Sequence, residues 1–132
     1  KINEHIMHSE WYSIDPITAH SLTQSRHITA VGTTTARTLE SIVSGGYLSD
    51  IPFTSKENRS FSAGSGSTDI FIKPGYQFKA VDALVTNFHL PKSTLLMLIS
   101  ALTGIEEMHR IYQHAISSKY RFYSFGDAML IV

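Results

Sequence analysis

Thr86–Ala101, TNFHLPKSTLLMLISA, sets a cluster of polar side chains between a strand-like run and an unusually apolar helix. Leu84–Phe88 carries the strand-like run, and the apolar run Leu95–Leu102 requires a buried helix. Between them lie Asn87, His89, Lys92, Ser93 and Thr94. Pro91 is expected in the first helical turn, where its missing N–H costs nothing. The unpaired N–H groups of that turn, with the Ser93 and Thr94 hydroxyls and Lys92, suit an anion or a ligand carboxylate. Because the helix must be packed, its polar entrance is held on a rigid platform.

Outward from this stretch the chain alternates strands and helices. Glu4–Ile14 reads as a strand, with Glu4, Ile6, His8, Glu10 and Tyr12 on one face and His5, Met7, Ser9 and Trp11 on the other. Asp15-Pro16 reads as an N-cap and first helical residue, opening a helix to about Ser25. A short strand, His27–Val31, leads through Gly32 into a helix to about Ser44, closed by Gly45-Gly46. From Ser49 the composition turns to Ser, Gly and charge, and residues 48–67 are expected to be a mobile surface loop and candidate lid. Asp69–Ile72 reads as a strand, Lys73-Pro74-Gly75-Tyr76 as a turn and Gln77–Ala80 as a short extended piece. The helix after Pro91 is expected to end at Thr103, closed by Gly104. A second helix, about Ile105–Ser118, aligns Met108, Ile111, Tyr112 and Ala115. A final strand, Arg121–Ser124 and Ala128–Val132, is interrupted at Gly126. The grammar is α/β: a layered, mainly parallel or mixed sheet with helices on both faces.

The 132 residues suffice for one ordinary domain. Eleven basic and eleven acidic residues cancel without a run of either sign, so composition gives no support for a phosphate-gripping basic face. With no cysteine, disulfides and thiolate metal sites are excluded, which fits the cytoplasm. The longest apolar run is far too short for a bilayer, so no membrane partner is expected.

Three further constellations bear on chemistry. At Gly32–Thr35 a glycine after a buried strand allows close backbone approach, and Thr33, Thr34 and Thr35 add hydroxyls at a helix start. The ordinary alternative is a threonine that merely caps the helix. The turn has neither the phosphate-binding Lys-Ser/Thr pair nor the three-glycine dinucleotide pattern. His8 and Glu10 share a strand face, as an acid–base pair or two metal ligands would. A metal would need a third ligand, from His89 or Asp82; no ligand spacing is diagnostic, and no metal is expected. Trp11, Tyr12 and Phe88 could stack on a purine, although aromatics in strands more often belong to the core. Asp69 and Asp82 would need cations if buried, with Arg37 or Lys79 available. Gly126-Asp127 reads as a turn or a point of close backbone approach, Arg121 as a rim cation, and Glu106–Arg110 as a solvent-facing i,i+4 pair.

MHSEWY (Met7–Tyr12), VGTTTARTLES (Val31–Ser41), TDIFIKPGYQFKAVDALVTNFHLP (Thr68–Pro91) and YRFYSFGDAMLI (Tyr120–Ile131), together with the opening stretch, resemble the S-adenosylmethionine:tRNA ribosyltransferase-isomerase family of queuosine biosynthesis. The blocks run in the family's order over nearly the whole chain, with a break around Ser49–Ser67. Ala36 and Ala80 stand where bulkier apolar residues are expected. Family members are more than twice this length. The resemblance therefore implies that residues 1–132 are a C-terminal portion of the α/β catalytic domain, without the N-terminal half and its small β-barrel domain.

The resemblance implies an enzyme that moves the ribosyl part of S-adenosylmethionine onto 7-aminomethyl-7-deazaguanine in a tRNA, giving epoxyqueuosine, adenine and methionine. S-adenosylmethionine is then a consumed substrate, with no separate cofactor. The partners are tRNA and the remaining N-terminal part of the same protein. That chemistry needs a base beside the sulfonium and a hydrogen-bond donor or acid for the departing adenine. Residue type and motif position nominate His8 or His89 as base or acid, with Glu10 or Asp82 orienting it or facing the sulfonium. The substrate-binding candidates are Gly32, Thr33, Thr34, Thr35, Asn87, Lys92, Ser93 and Thr94. The rival readings are a non-catalytic α/β module that binds a nucleotide or anion at Gly32–Thr35, and a structural fragment completing a larger domain.

Overall fold

The structure is a computed structural model that describes residues 9–44, 59–89, 93–122 and 126–132. Its chain order begins β1 (Glu10–Ile14), α1 (Pro16–Gln24), β2 (Thr29–Val31), α2 (Thr33–Ile42) and β3 (Val43–Ser44). It continues with β4 (Ser60–Phe61), β5 (Gly64–Thr68), β6 (Ala83–Asn87), α3 (Thr94–Thr103), α4 (Ile105–Ser117) and β7 (Ala128–Ile131). The α/β class holds. The sheet that matters for function has the order β2-β6-β7, with β2 parallel and β7 antiparallel to β6. Two small antiparallel ribbons, β1-β5 and β3-β4, complete the strands among the described residues.

Local chemistry explains the helix ends. The Asp15 carboxylate accepts a hydrogen bond from the Thr18 N–H at 2.6 Å, with Pro16 in the first turn. Ser93 caps α3 by accepting from the Leu96 N–H at 3.2 Å. Gly104, at a φ of 90°, ends α3 and opens α4, a conformation that a side chain would strain. Gly75, at a φ of 100°, sits in the Lys73–Tyr76 turn, which the Tyr76 N–H closes onto the Lys73 carbonyl at 3.0 Å.

Several expectations are corrected. Thr94 is the first residue of α3 and Ser93 its cap, and Pro91, expected in the first turn, lies outside the described residues. The helix α2 stops at Ile42, and Val43–Ser44 leaves it as a strand paired with Ser60–Phe61. Within the expected loop, Gly64–Thr68 is a regular strand on β1, with Tyr12 opposite Gly66. Its sequence, GSGST, carries no apolar periodicity, and the ladder to β1 holds it extended. Asp69–Ile72 and Gln77–Ala80 form no strand, and only Ala128–Ile131 of the proposed final strand does so among the described residues. Glu4–His8, Gly45-Gly46 and the first part of the expected loop lie outside the described residues.

The core collects Ile28, Ala30, Ala36, Leu39, Leu84, Phe88, Ile99 and Ile131 with Met108, Tyr112 and Ala115 of α4. The expected face of α4 is therefore the packed one, with Ile111 partly buried beside it. Two buried ionic anchors hold the connections to β6. The Glu40 carboxylate on α2 accepts from the Tyr76 hydroxyl (2.9 Å) and from the N–H groups of Lys79, Ala80 and Val81 (2.8 Å each). Arg59, almost fully buried, donates to the carbonyls of Lys79 (3.2 Å), Ala80 (2.9 Å) and Arg26 (3.3 Å) and to Asp82 Oδ2 (3.0 Å). Ala80 has zero exposure, its N–H on Glu40 and its carbonyl on Arg59. That cage accounts for a small residue where a bulkier one was expected.

Candidate functional site

Parallel pairing of β2 with β6 puts their C-terminal ends at the same edge of the sheet, the place where α/β sheets expose helix N-termini to ligands. Gly32 follows β2 with a φ of 94°, and its N–H donates to the Val85 carbonyl at 2.8 Å. Chain direction then turns into α2. Its first turn has no side-chain cap, so its N–H groups keep their hydrogen-bonding capacity. Thr33 is buried, whereas Thr34 and Thr35 are exposed. From β6, Asn87 stands opposite Ala128 at the start of β7, and its amide is 3.5 Å from the Asp127 carbonyl. The second helix start, Ser93–Thr94, follows β6 after a short connection. The start of α2, Asn87 and the Gly126-Asp127 pair thus lie at one sheet end, from which the chain leads on into α3.

His89 lies at this end. Its Nε2 is 2.9 Å from the Thr86 hydroxyl, and its backbone N–H donates to the Tyr112 hydroxyl at 3.0 Å. Burial holds the imidazole below the ordinary histidine pKa, so it is neutral at neutral pH. Burial also pushes the Tyr112 phenol up, partly offset by the hydrogen bond from His89. Phe88 packs edge-on against Tyr112 with centroids 5.5 Å apart, and also against Tyr120 and Phe122. Phe88 is thus core, not a stacking platform.

The other nominated residues divide. A groove of about 430 Å³ runs between β1 and α2, lined by Trp11, Tyr12, Ile14, Thr34, Thr35 and Thr38 among others. It joins the first turn of α2 to the exposed face of Trp11, which is 71% accessible. Glu10 also lies on β1, but its carboxylate is paired with the buried guanidinium of Arg37 on α2. Asp82 accepts from Arg59 and from the Ile28 N–H (2.9 Å), tying β6 to the entrance of β2. Both carboxylates are therefore engaged in ion pairs, and Asp82 lies just before β6, at the end of that strand opposite Asn87. Arg37 serves Glu10, and the cation beside Asp82 is Arg59. Ser93 is engaged as a cap, whereas the Thr94 hydroxyl makes no hydrogen bond within the described residues. His8 and Lys92 lie outside the described residues. Among the described residues no three His, Cys, Asp or Glu side chains are grouped to hold a metal ion.

At the rim, Asp127 accepts from the Arg121 N–H (2.7 Å) and guanidinium (3.3 Å), which lowers its pKa. Gly126 is a point of close backbone approach, since a Cβ there would sit 2.5 Å from the Arg121 carbonyl. Arg110 pairs with Glu107, one turn back at i,i+3, and not with Glu106.

Thr86, Tyr112, Glu40 and Arg59 were not foreseen. A signal existed for Glu40: it falls on the buried face of α2 with Ala36 and Leu39, where an unpaired charge is untenable.

The chain matches the model of the queuosine biosynthesis protein family over residues 1–131. It is 52% identical over 98% of its length to an S-adenosylmethionine:tRNA ribosyltransferase-isomerase of Cupriavidus pinatubonensis, and 49% identical over 99% to one of Moorella thermoacetica. It covers 35% and 36% of those proteins, respectively. The crystal structure of an S-adenosylmethionine tRNA ribosyltransferase from Thermotoga maritima superposes with a TM-score of 0.76 at 44% identity, over 92% of this chain and 40% of that one. The chain therefore spans about a third of the length of the curated relatives it matches, and it belongs to the queuosine biosynthesis protein family.

Proposed function

We propose that the full-length protein is an S-adenosylmethionine:tRNA ribosyltransferase-isomerase, and that this chain supplies part of its active site. In this reading the ribosyl part of S-adenosylmethionine is transferred and isomerised onto 7-aminomethyl-7-deazaguanine in a tRNA, giving epoxyqueuosine. S-adenosylmethionine is consumed, no separate cofactor or metal takes part, and the reaction belongs in the cytoplasm with its tRNA. The observation that carries the reading is identity near one half, across nearly every residue here, to proteins bearing that name. The geometry supports it: two helix starts suit the methionine carboxylate and ribose, and Trp11 and Tyr12 offer aromatic faces to a purine or sulfonium. His89, neutral and at the same corner, is a hydrogen-bonding group for the reacting part.

The test is adenine release by the full-length protein given S-adenosylmethionine and precursor tRNA. Thr94→Ala is expected to raise the S-adenosylmethionine dissociation constant by a few-fold to about tenfold, the worth of one hydrogen bond. An unchanged constant with a lower melting temperature would assign Thr94 to helix stability. Binding without any adenine release would return the non-catalytic nucleotide-binding reading.

A further inference from the structure

Thr86 holds His89 in a defined way. Its hydroxyl lies on β6, its residue is 4% exposed, and its one hydrogen-bond partner within the described residues is His89 Nε2 at 2.9 Å. A buried hydroxyl proton needs an acceptor, and among the described residues the one within reach is the lone pair of Nε2. With Nε2 as that acceptor, the ring proton belongs on Nδ1. Protonating Nε2 as well would force the hydroxyl to accept, leaving its own proton buried without a partner. Nδ1 makes no hydrogen bond within the described residues. The one unpartnered buried side-chain nitrogen among them is Arg59 Nε, so Nδ1 is accessible. Tyr112, from the packed face of α4, fixes the backbone of His89 by accepting its N–H at 3.0 Å.

We propose that Thr86 and Tyr112 are positioning residues that fix His89 as a neutral hydrogen-bond donor through Nδ1, and not as a general base through Nε2. A neutral N–H of this kind stabilises developing negative charge or an acceptor nitrogen without itself giving up the proton. Resting on the ribosyl-transfer reading, the acceptor is a ring nitrogen of the departing purine.

Nitrogen-15 shifts of the His89 ring, measured on the full-length protein, are expected to show the Nδ1–H tautomer at neutral pH. In Thr86→Val, which keeps the shape and removes the hydroxyl, the Nδ1–H signature is expected to weaken and the His89 titration to move up, while burial still holds it below the ordinary histidine range. Thr86→Ser should restore both. With substrate, Thr86→Val should lower kcat for adenine release about tenfold with little change in KM, again with recovery in Thr86→Ser. An Nε2–H tautomer in the wild type, or an unchanged His89 titration in Thr86→Val, would overturn the assignment. An altered tautomer with unaltered kcat would remove the donor role. The expected tautomer in a protein that releases no adenine would sink the ribosyl-transfer reading and leave the positioning by Thr86 standing.

Discussion

Glu40 shows how much a single buried carboxylate organises. Four donors from Tyr76–Val81 converge on its two oxygens, and that segment leads straight into β6. In Glu40→Gln the amide nitrogen would meet N–H groups that need acceptors, leaving at least one buried donor unpaired. A loss of about 3 kcal/mol in denaturant unfolding of the full-length protein is expected; a change under about 0.5 kcal/mol would show that the nest is dispensable. The depressed pKa of His89 gives a pH signature. Its folded value lies below its unfolded one, so between the two the unfolded chain binds more protons. Stability should therefore fall as pH drops below the ordinary histidine value of about 6.5. The melting temperature is expected to decline between about pH 7 and 5, and less steeply in His89→Asn. Equal slopes would remove His89 as the source. The exposed Asp15 and Asp127, both lowered by hydrogen bonds, act in the carboxylate range at lower pH.

At the scale of elements, two glycines test which packing is rigid. A Cβ on Gly66 would lie 2.7 Å from the Tyr12 hydroxyl, the far end of a side chain that can swing. A Cβ on Gly126 would lie 2.5–2.6 Å from backbone atoms of Arg121 and Phe122, which cannot. Gly126→Ala is thus expected to cost about 3 kcal/mol and Gly66→Ala about 1 kcal/mol in thermal unfolding. The reverse order would mean that the backbone of Arg121 and Phe122 yields more easily than the β1-β5 ribbon. Displacing Tyr12 should also disturb the groove it lines with Thr34 and Thr35, coupling the ribbon to the site. Ser93 belongs to this scale too, since its cap on Leu96 fixes where α3 begins and hence where Thr94 stands.

At the scale of the molecule, the sheet is small and its parallel strand β2 lies at an edge among the described residues, with Val31 67% exposed. Parallel strands are ordinarily covered on both faces, so this sheet has the character of part of a larger one. The chain spans about a third of its curated relatives. Residues 1–132 alone are therefore expected to show no ribosyl transfer. Adenine release by a preparation confirmed by mass to contain only these residues would contradict that. Among the described residues no helix is long and apolar enough to cross a membrane.

What was legible in the sequence was what neighbours in the chain decide. Asp15-Pro16, Gly104 and the Pro74-Gly75 turn act within one turn of backbone, and the apolar run of α3 demands burial wherever it packs. The strand–glycine–helix and strand–helix junctions at Gly32 and Asn87–Thr94 were readable for the same reason, as was the family through its long blocks. Tertiary structure alone decided that these junctions share one sheet end, because that depends on β2 pairing parallel to β6 across more than fifty residues. It also decided which cations Glu10 and Asp82 pair with, since Arg37 and Arg59 come from distant segments. GSGST became a strand only through its ladder to β1. Buried polar groups must find partners, but sequence spacing does not say which partners the fold will bring.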